Sequence, residues 1–211
     1  MDLVAYLDES RKPVRDPATG NVAGGFEHYV VAAAVVFGED ADAVRESVRG
    51  IERDLGFALH YGQLRSRARR LAVVDAIVVL PDWDGYVFET ARAVDFRRRS
   101  EHAIRAAILT DAFPVLENEA GVGRIVLESR AMPTGTVGPI DKKDLDALRR
   151  LRIGGRVSHS LEVGHAPKSE AILAIADVVA GARGDFICGA DRSIYPRLAH
   201  RIRGAVRQLS V

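Results

Sequence analysis

Residues 3–10 of the chain, Leu-Val-Ala-Tyr-Leu-Asp-Glu-Ser, decide the fold. The five apolar residues at 3–7 favour a buried β-strand, because they include several strong strand formers. Two carboxylates, Asp8 and Glu9, follow this strand at once. A buried carboxylate without a partner is strongly unfavourable. The pattern therefore predicts a bound cation at this end of the strand.

The composition is that of a globular protein with enough apolar residues for a core. Hydrophobic residues make up 47% of the chain and charged residues 28%, and 211 residues fit one domain. No apolar run reaches the roughly 18–20 residues that span a bilayer, and no signal-peptide pattern opens the chain. Cys188 is the only cysteine, so an intramolecular disulfide is excluded. We expect a cytoplasmic protein without a membrane segment.

The formal net charge of +1 does not by itself predict a polyanionic partner. The distribution is uneven, since arginines cluster at 65–70, 97–99 and 192–207. The guanidinium group suits phosphate oxygens, so these clusters are candidates for nucleic-acid contacts. Heavy use of arginine in a GC-rich genome explains them equally well.

The order of patterns along the chain predicts an α/β domain with a mixed five-stranded sheet flanked by helices. We predict strands at 3–7, 28–37, 86–94, 124–129 and 156–163, with residues 11–21 as the loop of a first hairpin. Helical spacing of apolar residues predicts helices near 44–55, 67–79, 101–119, 141–151, 167–182 and from 192 onwards. The chain is expected to form a single domain, 1–211, with 183–211 as a C-terminal helical extension.

Two further acids could meet the first pair. Asp177 lies in the helix that runs to Ala182, which is apolar nearly all round and therefore belongs in the interior. A lone aspartate there must bind a cation, pair with an arginine, or accept hydrogen bonds from a neighbouring turn. Glu128 ends the fourth predicted strand and is followed by a serine, as in the opening stretch.

Carboxylates from separate elements are the ligands that Mg²⁺ and Mn²⁺ prefer. We therefore predict a metal site formed by Asp8, Glu9, Glu128 and Asp177. Adjacent strand residues point to opposite faces, so Glu9 is either a fourth ligand or directed away. Two metals about 4 Å apart can activate water and stabilise the leaving oxygen at a phosphodiester.

Two other residues are candidates for catalytic roles beside these acids. His60 could position a phosphate or shuttle a proton, or be a hydrogen-bonded structural histidine. Lys168 could contact the scissile phosphate, or be a solvated lysine. His159 and His165 have no partner at the spacing of helical metal ligands and are left aside.

Three short motifs resemble the domain-of-unknown-function 3800 family. They are Asp8-Glu9-Ser10 after a first strand, residues 59–64 (LHYGQL) as a strand-loop that carries a histidine, and the late helix 176–182 (ADVVAGA). The resemblance spans roughly residues 3–185. It implies a ribonuclease H-like fold, with Asp8 and Asp177 at the positions of metal ligands. Glu128 replaces what is usually an aspartate there.

The same resemblance implies a nuclease that depends on Mg²⁺ or Mn²⁺ and cleaves DNA or RNA, with a role in phage defence or in the biology of mobile elements. Nucleic acid is the expected partner, and the protein is a monomer or a homodimer. The alternative is a non-catalytic nucleic-acid-binding or protein-interaction domain that retains the fold. A metal-dependent phosphoesterase acting on a small substrate is a third hypothesis.

Overall fold

A computed structural model describes residues 2–15, 18–19, 22–90, 101–129, 139–204 and 206–209 of the chain. The predicted arginine cluster at 97–99 and the end of the third predicted strand lie outside these residues. Among the described helices, none is both long and apolar enough to cross a membrane.

A six-stranded sheet forms the centre of the molecule, with the strand order β5-β4-β1-β2-β3-β6. Its strands are β1 (Leu3–Arg15), β2 (Val22–Phe37), β3 (Trp83–Thr90), β4 (Val122–Glu128), β5 (Glu162–Ala166) and β6 (Arg207–Leu209). The pairs β1–β2 and β2–β3 are antiparallel, whereas β4 pairs parallel to both β1 and β5, and β6 parallel to β3. The predicted mixed sheet is confirmed, with one strand more than the five expected.

The hairpin β1–β2 is longer than predicted. Its ladder runs from the pair Leu3 and Phe37 to the pair Arg15 and Val22, so part of the predicted loop is strand. The apolar stretch of β2 supplies a continuous buried run between β1 and β3. A strand with neighbours on both sides and both faces covered needs apolar residues throughout.

Helices cover both faces of the sheet. The described α-helices are α1 (Ala41–Leu55), α2 (Arg67–Val78), α3 (Glu101–Asn118), α4 (Pro139–Ile153), α5 (Leu173–Cys188) and α6 (Tyr195–Leu198). One core lies between the sheet and α1, α2, α5 and α6, and a second lies between the other face and α3 and α4. Alternate residues of β1 supply the two cores, with Tyr6 in the first and Leu7 in the second.

The bounds of the predicted late helix and of the fifth predicted strand are wrong. Helix α5 begins at Leu173 rather than near Pro167, and its N-cap is Ile172. The fifth strand is 162–166 rather than 156–163, and it lies at an edge of the sheet.

The predicted helix from residue 192 onwards is not formed. The chain makes the short helix α6 and a 3-10 turn (Ala199–Arg201), and then adds β6 to the edge of β3. Residues 183–188 complete α5, so the region from 183 to 209 is not a purely helical extension. The helical spacing of apolar residues in this tail is overridden by pairing with a free strand edge.

Candidate metal centre

Asp8 and Glu128 lie side by side on neighbouring parallel strands. The register pairs Leu7 of β1 with Leu127 of β4, so the next residue of each strand points to the opposite face, toward α5. Asp8 is 6% exposed, and its carboxyl group is hydrogen-bonded to that of Glu128. The Asp8 Oδ1 atom also accepts a hydrogen bond of 2.7 Å from the backbone N–H of Glu9.

Asp177 reaches the same place from α5, which packs against β1 and β2. Its Oδ2 atom accepts hydrogen bonds from the backbone N–H of Tyr61, at 2.8 Å, and from His60 Nδ1, at 2.7 Å. A carboxylate can only accept, so Nδ1 of His60 carries the proton. Oδ1 of Asp177 accepts no hydrogen bond from the described part of the chain and remains available to a cation.

Residues 59–64 hold His60 against α5. The resemblance implies a strand-loop here, whereas the structure has a 3-10 turn (Tyr61–Gln63). The ring of Tyr61 lies so close to Gly181 of α5 that a β-carbon there would overlap it. The hydroxyl group of Tyr61 donates a hydrogen bond of 2.9 Å to Asp185 Oδ2, so Tyr61 is bound to α5 through both its backbone and its side chain.

The carboxylates leave an excess of negative charge at this edge of the sheet. Burial, and then the neighbouring carboxylates of Asp177 and Glu128, raise the pKa of Asp8 to about 9. Lys168 opposes this effect, and its Nζ atom lies 3.5 Å from Glu128 Oε1. One exposed lysine does not balance three acids, so the arrangement favours a further cation.

An open cleft of about 330 Å³ brings these side chains together. We call it the carboxylate cleft; among the described residues it is lined by Asp8, Glu9, Arg11, His60, Glu128, Lys168 and Asp177. Every residue that the sequence suggested for the site therefore borders one space.

The carboxyl group of Glu9 points away from the other three acids. It forms ion pairs with the guanidinium groups of Arg105 and Arg11, the latter at 3.0 Å. The side chain of Glu9 is 2% exposed and lies on the face of the sheet that α3 and α4 cover. We therefore leave Glu9 out of the ligand set that we propose.

A buried ion-pair network on that opposite face was missed by sequence reasoning. Arg105 donates to both oxygens of Asp144, at 3.0 and 2.9 Å, and His165 Nε2 lies 3.2 Å from Asp144 Oδ2. Asp141 accepts a hydrogen bond of 2.8 Å from the hydroxyl group of Ser129.

Among the described residues, Asp141, Asp144 and His165 could also hold a metal ion, because one ligand atom from each lies within 4.8 Å of the other two. Because Arg105 already neutralises Asp144, we interpret these contacts as a buried structural ion-pair network rather than a metal site. It ties the strand residues next to Asp8 and Glu128, namely Glu9 and Ser129, to α3 and α4. Nothing in the sequence spacing of these residues indicates the contact.

The donor set at the carboxylate cleft fits a hard divalent cation. Asp8, Glu128 and Asp177 offer only oxygen ligands, and the cleft is open to solvent, so bound water and phosphate oxygens can complete the coordination. Soft thiolate ligands are missing, because Cys188 lies elsewhere, beside His28. The three acids therefore form a candidate Mg²⁺ or Mn²⁺ centre.

The strand order and the pattern of parallel and antiparallel pairs define a ribonuclease H-like α/β fold, with β6 as an additional edge strand. The chain is similar to ribonuclease HII in its complex with PCNA from Archaeoglobus fulgidus. The TM-score is 0.50 at 16% sequence identity, over 99% of this chain and 83% of that one.

A mutant of Bst ribonuclease HIII matches with a TM-score of 0.49 and 16% identity, over 84% of this chain and 50% of that one. A scan against protein-family models and a search of curated protein sequences find no match. The likeness to the ribonuclease HII structure thus supports the fold alone.

Proposed function

We propose that the protein is a nuclease that depends on Mg²⁺ or Mn²⁺ and hydrolyses phosphodiester bonds of DNA or RNA. The observation that carries the proposal is the convergence of Asp8, Glu128 and Asp177 at one open cleft, where burial and the two neighbouring carboxylates raise the pKa of Asp8 to about 9. Burying several acids together lowers the stability of the folded protein, and such a group is typical of a functional site. The resemblance to the domain-of-unknown-function 3800 family agrees with this function and stays a prediction.

Each side chain has a role that follows from its position. Asp8, Glu128 and Asp177 would hold the metal, which when bound activates water and offsets charge on the phosphate. Lys168, 54% exposed beside Glu128, would contact a phosphate oxygen. His60 donates through Nδ1 to Asp177, so its Nε2 atom can accept a proton at the cleft.

The likeness in fold supports the proposal only in general terms. The similar solved structure is a ribonuclease HII, and at 16% identity its activity does not transfer residue by residue. The choice of metal, the substrate and a role in phage defence or mobile elements therefore belong to the proposal.

A thermal-shift titration tests the metal centre. We expect Mg²⁺ and Mn²⁺ at millimolar concentration to raise the melting temperature of the wild type, because a ligand that binds only the folded state stabilises it. Asp8→Asn and Asp177→Asn should lose this shift. Asp75→Asn, an exposed aspartate of α2 paired with Arg197, is the matched control and should keep it.

Nuclease assays on the same proteins separate catalysis from binding. Cleavage of DNA or RNA that needs metal and disappears in Asp8→Asn would support the proposal. If the metal shift exists but no nucleic acid is cleaved, the non-catalytic binding domain is the better hypothesis. A wild type that responds to metal neither alone nor with nucleic acid present would contradict the metal centre itself.

A further inference from the structure

The carboxylate cleft continues into a second space of about 400 Å³, within the range of small-molecule sites. The two spaces share Asp8, His60, Lys168 and Asp177. We call the second space the side cleft; the rest of its described lining is Arg49, Glu52, Ala58, Leu59, Gln63, Ser169, Glu170, Ala171, Leu173 and Ala174. A substrate held by the metal ligands therefore borders this space.

The wall of the side cleft is largely apolar. Leu59, Ala171 and Leu173 are buried residues of the core, and Ala174 lies one helical turn before Asp177 on the same face of α5. Glu52 fixes this wall, because its Oε1 atom accepts a hydrogen bond of 2.9 Å from the backbone N–H of Leu59. Such a surface suits the face of a planar, weakly polar group.

Polar groups stand at the rim of the same space. Gln63 is exposed, and no described residue bonds its side-chain amide, which can donate and accept at once. Arg49 is exposed and forms no ion pair with a described acid within 4.0 Å. An amide that pairs with both donors and acceptors matches the edge of a nucleobase, and the guanidinium group matches a phosphate.

We infer that the side cleft binds one unstacked nucleotide next to the scissile phosphate, with its base against the apolar wall and its edge toward Gln63. The inference rests on the proposed function and deepens it, because it makes an unpaired strand the substrate. Taking a base out of a duplex costs the stacking and pairing energy of that base. A single strand avoids this cost.

Binding of fluorescent oligonucleotides tests the inference. The probes are a single-stranded 12-mer of thymidine and a duplex of the same length, with Ca²⁺ in place of Mg²⁺ because it takes the same kind of oxygen ligands. We expect the single strand to bind at least about tenfold more tightly than the duplex, the size of effect that one stacked base produces. A gel checks that both probes stay intact.

Two variants test whether the affinity for the single strand depends on the side cleft. Ala174→Leu fills the space and should weaken binding of the single strand by about tenfold, and Gln63→Ala should weaken it less. The metal-induced shift in melting temperature should persist in both, which shows that the carboxylates are undisturbed. Ala43→Leu, at an exposed alanine of α1, is the matched control and should bind like the wild type.

The inference fails if the duplex binds as tightly as the single strand, or if Ala174→Leu leaves binding unchanged. It also fails if thymidine monophosphate binds as tightly as the 12-mer, because the site would then suit a small phosphoester. Failure of the proposed function gives a different result. The wild type would then show no metal shift, or would show the shift and cleave no nucleic acid, while Ala174→Leu would still weaken single-strand binding.

Discussion

Asp8 is the residue at which the chemistry of the candidate site and the stability of the fold conflict. Its carboxyl group is buried between two other acids, so the folded state holds the proton more tightly than the unfolded chain does. The stabilisation that this proton provides is complete below the ordinary pKa of 3.8 and is lost as the pH rises through about 9. Neutral pH therefore already costs the metal-free protein stability.

Replacing Asp8 with asparagine tests this electrostatic cost. Between pH 6 and 9 in the absence of metal, we expect the melting temperature of the wild type to fall and that of Asp8→Asn to fall less. At pH 9 the melting temperature of the variant should be at least about 2 °C higher than that of the wild type. A difference of about 1 kcal/mol in the free energy of unfolding produces such a shift in a chain of this size. Differential scanning fluorimetry across the pH range measures both.

The same measurement has a clear negative outcome. Asp75→Asn should follow the pH dependence of the wild type, since Asp75 is exposed and paired with Arg197. If Asp8→Asn and the wild type lose stability in parallel from pH 6 to 9, Asp8 is already ionised in the folded protein. The interpretation of the crowded carboxylates would then be wrong.

At the scale of elements, α5 and the 3-10 turn at 61–63 form one unit. Tyr61 packs on Gly181, and its backbone N–H binds Asp177 one turn earlier in the helix. Glycine in a helix interior normally lowers stability. Here it is required, because the close approach of Tyr61 leaves no room for a β-carbon.

Gly181→Ala should therefore reverse the usual effect of alanine in a helix. We expect it to destabilise the protein by about 1–3 kcal/mol, because overpacking shifts the tyrosine ring and the turn that carries His60. Gly50→Ala in α1 is the matched control, since the nearest atom to its β-carbon would be 3.8 Å away. It should stabilise by about 0.5–1 kcal/mol.

Chemical denaturation of both variants measures these free energies of unfolding. A loss of the metal-induced shift in Gly181→Ala would further indicate that the turn positions Asp177. Equal stabilisation of the two variants would show that Tyr61 moves aside at no cost, and the proposed unit of helix and turn would be wrong.

At the scale of the whole molecule, five of the nine described arginines at 65–70 and 192–207 pair with acids of the same chain. In the first cluster, Arg67 pairs with Asp191 and Arg70 with Asp185. The arginines of the tail also form ion pairs: Arg197 with Asp75, Arg203 with Asp84, and Arg207 with Glu119. These pairs leave fewer arginines free to contact an external phosphate. Phosphate contacts should come mainly from three exposed cations: Arg49 and Lys168, which line the side cleft, and Arg65, two residues after Gln63 in the sequence.

The salt dependence of binding tests this distribution of charge. Three phosphate contacts to a single strand predict a slope of about −2 in a plot of log K against log salt concentration. If all the arginines at 65–70 and 192–207 contacted phosphates, the slope would approach about −6. Anisotropy titrations of the labelled 12-mer between 50 and 300 mM salt, a range of roughly sixfold, distinguish the two.

The sequence by itself determined the elements whose signals are local. The strands at 3–7 and 28–37 were predicted correctly, because neighbouring side chains decide them. The burial of Asp177 followed from the apolar residues around it in the chain. Of the three alternatives for that residue, the structure shows hydrogen bonds from a neighbouring turn and leaves one oxygen for a cation.

Only the tertiary structure decided which side chains meet. The direction of Glu9 depends on Arg105, 96 residues away, and the tail forms a strand because β3 offers a free edge. The pairing of His60 with Asp177 spans 117 residues. Contacts over such separations depend on how sheet and helices pack together, and no local pattern of residues records that packing.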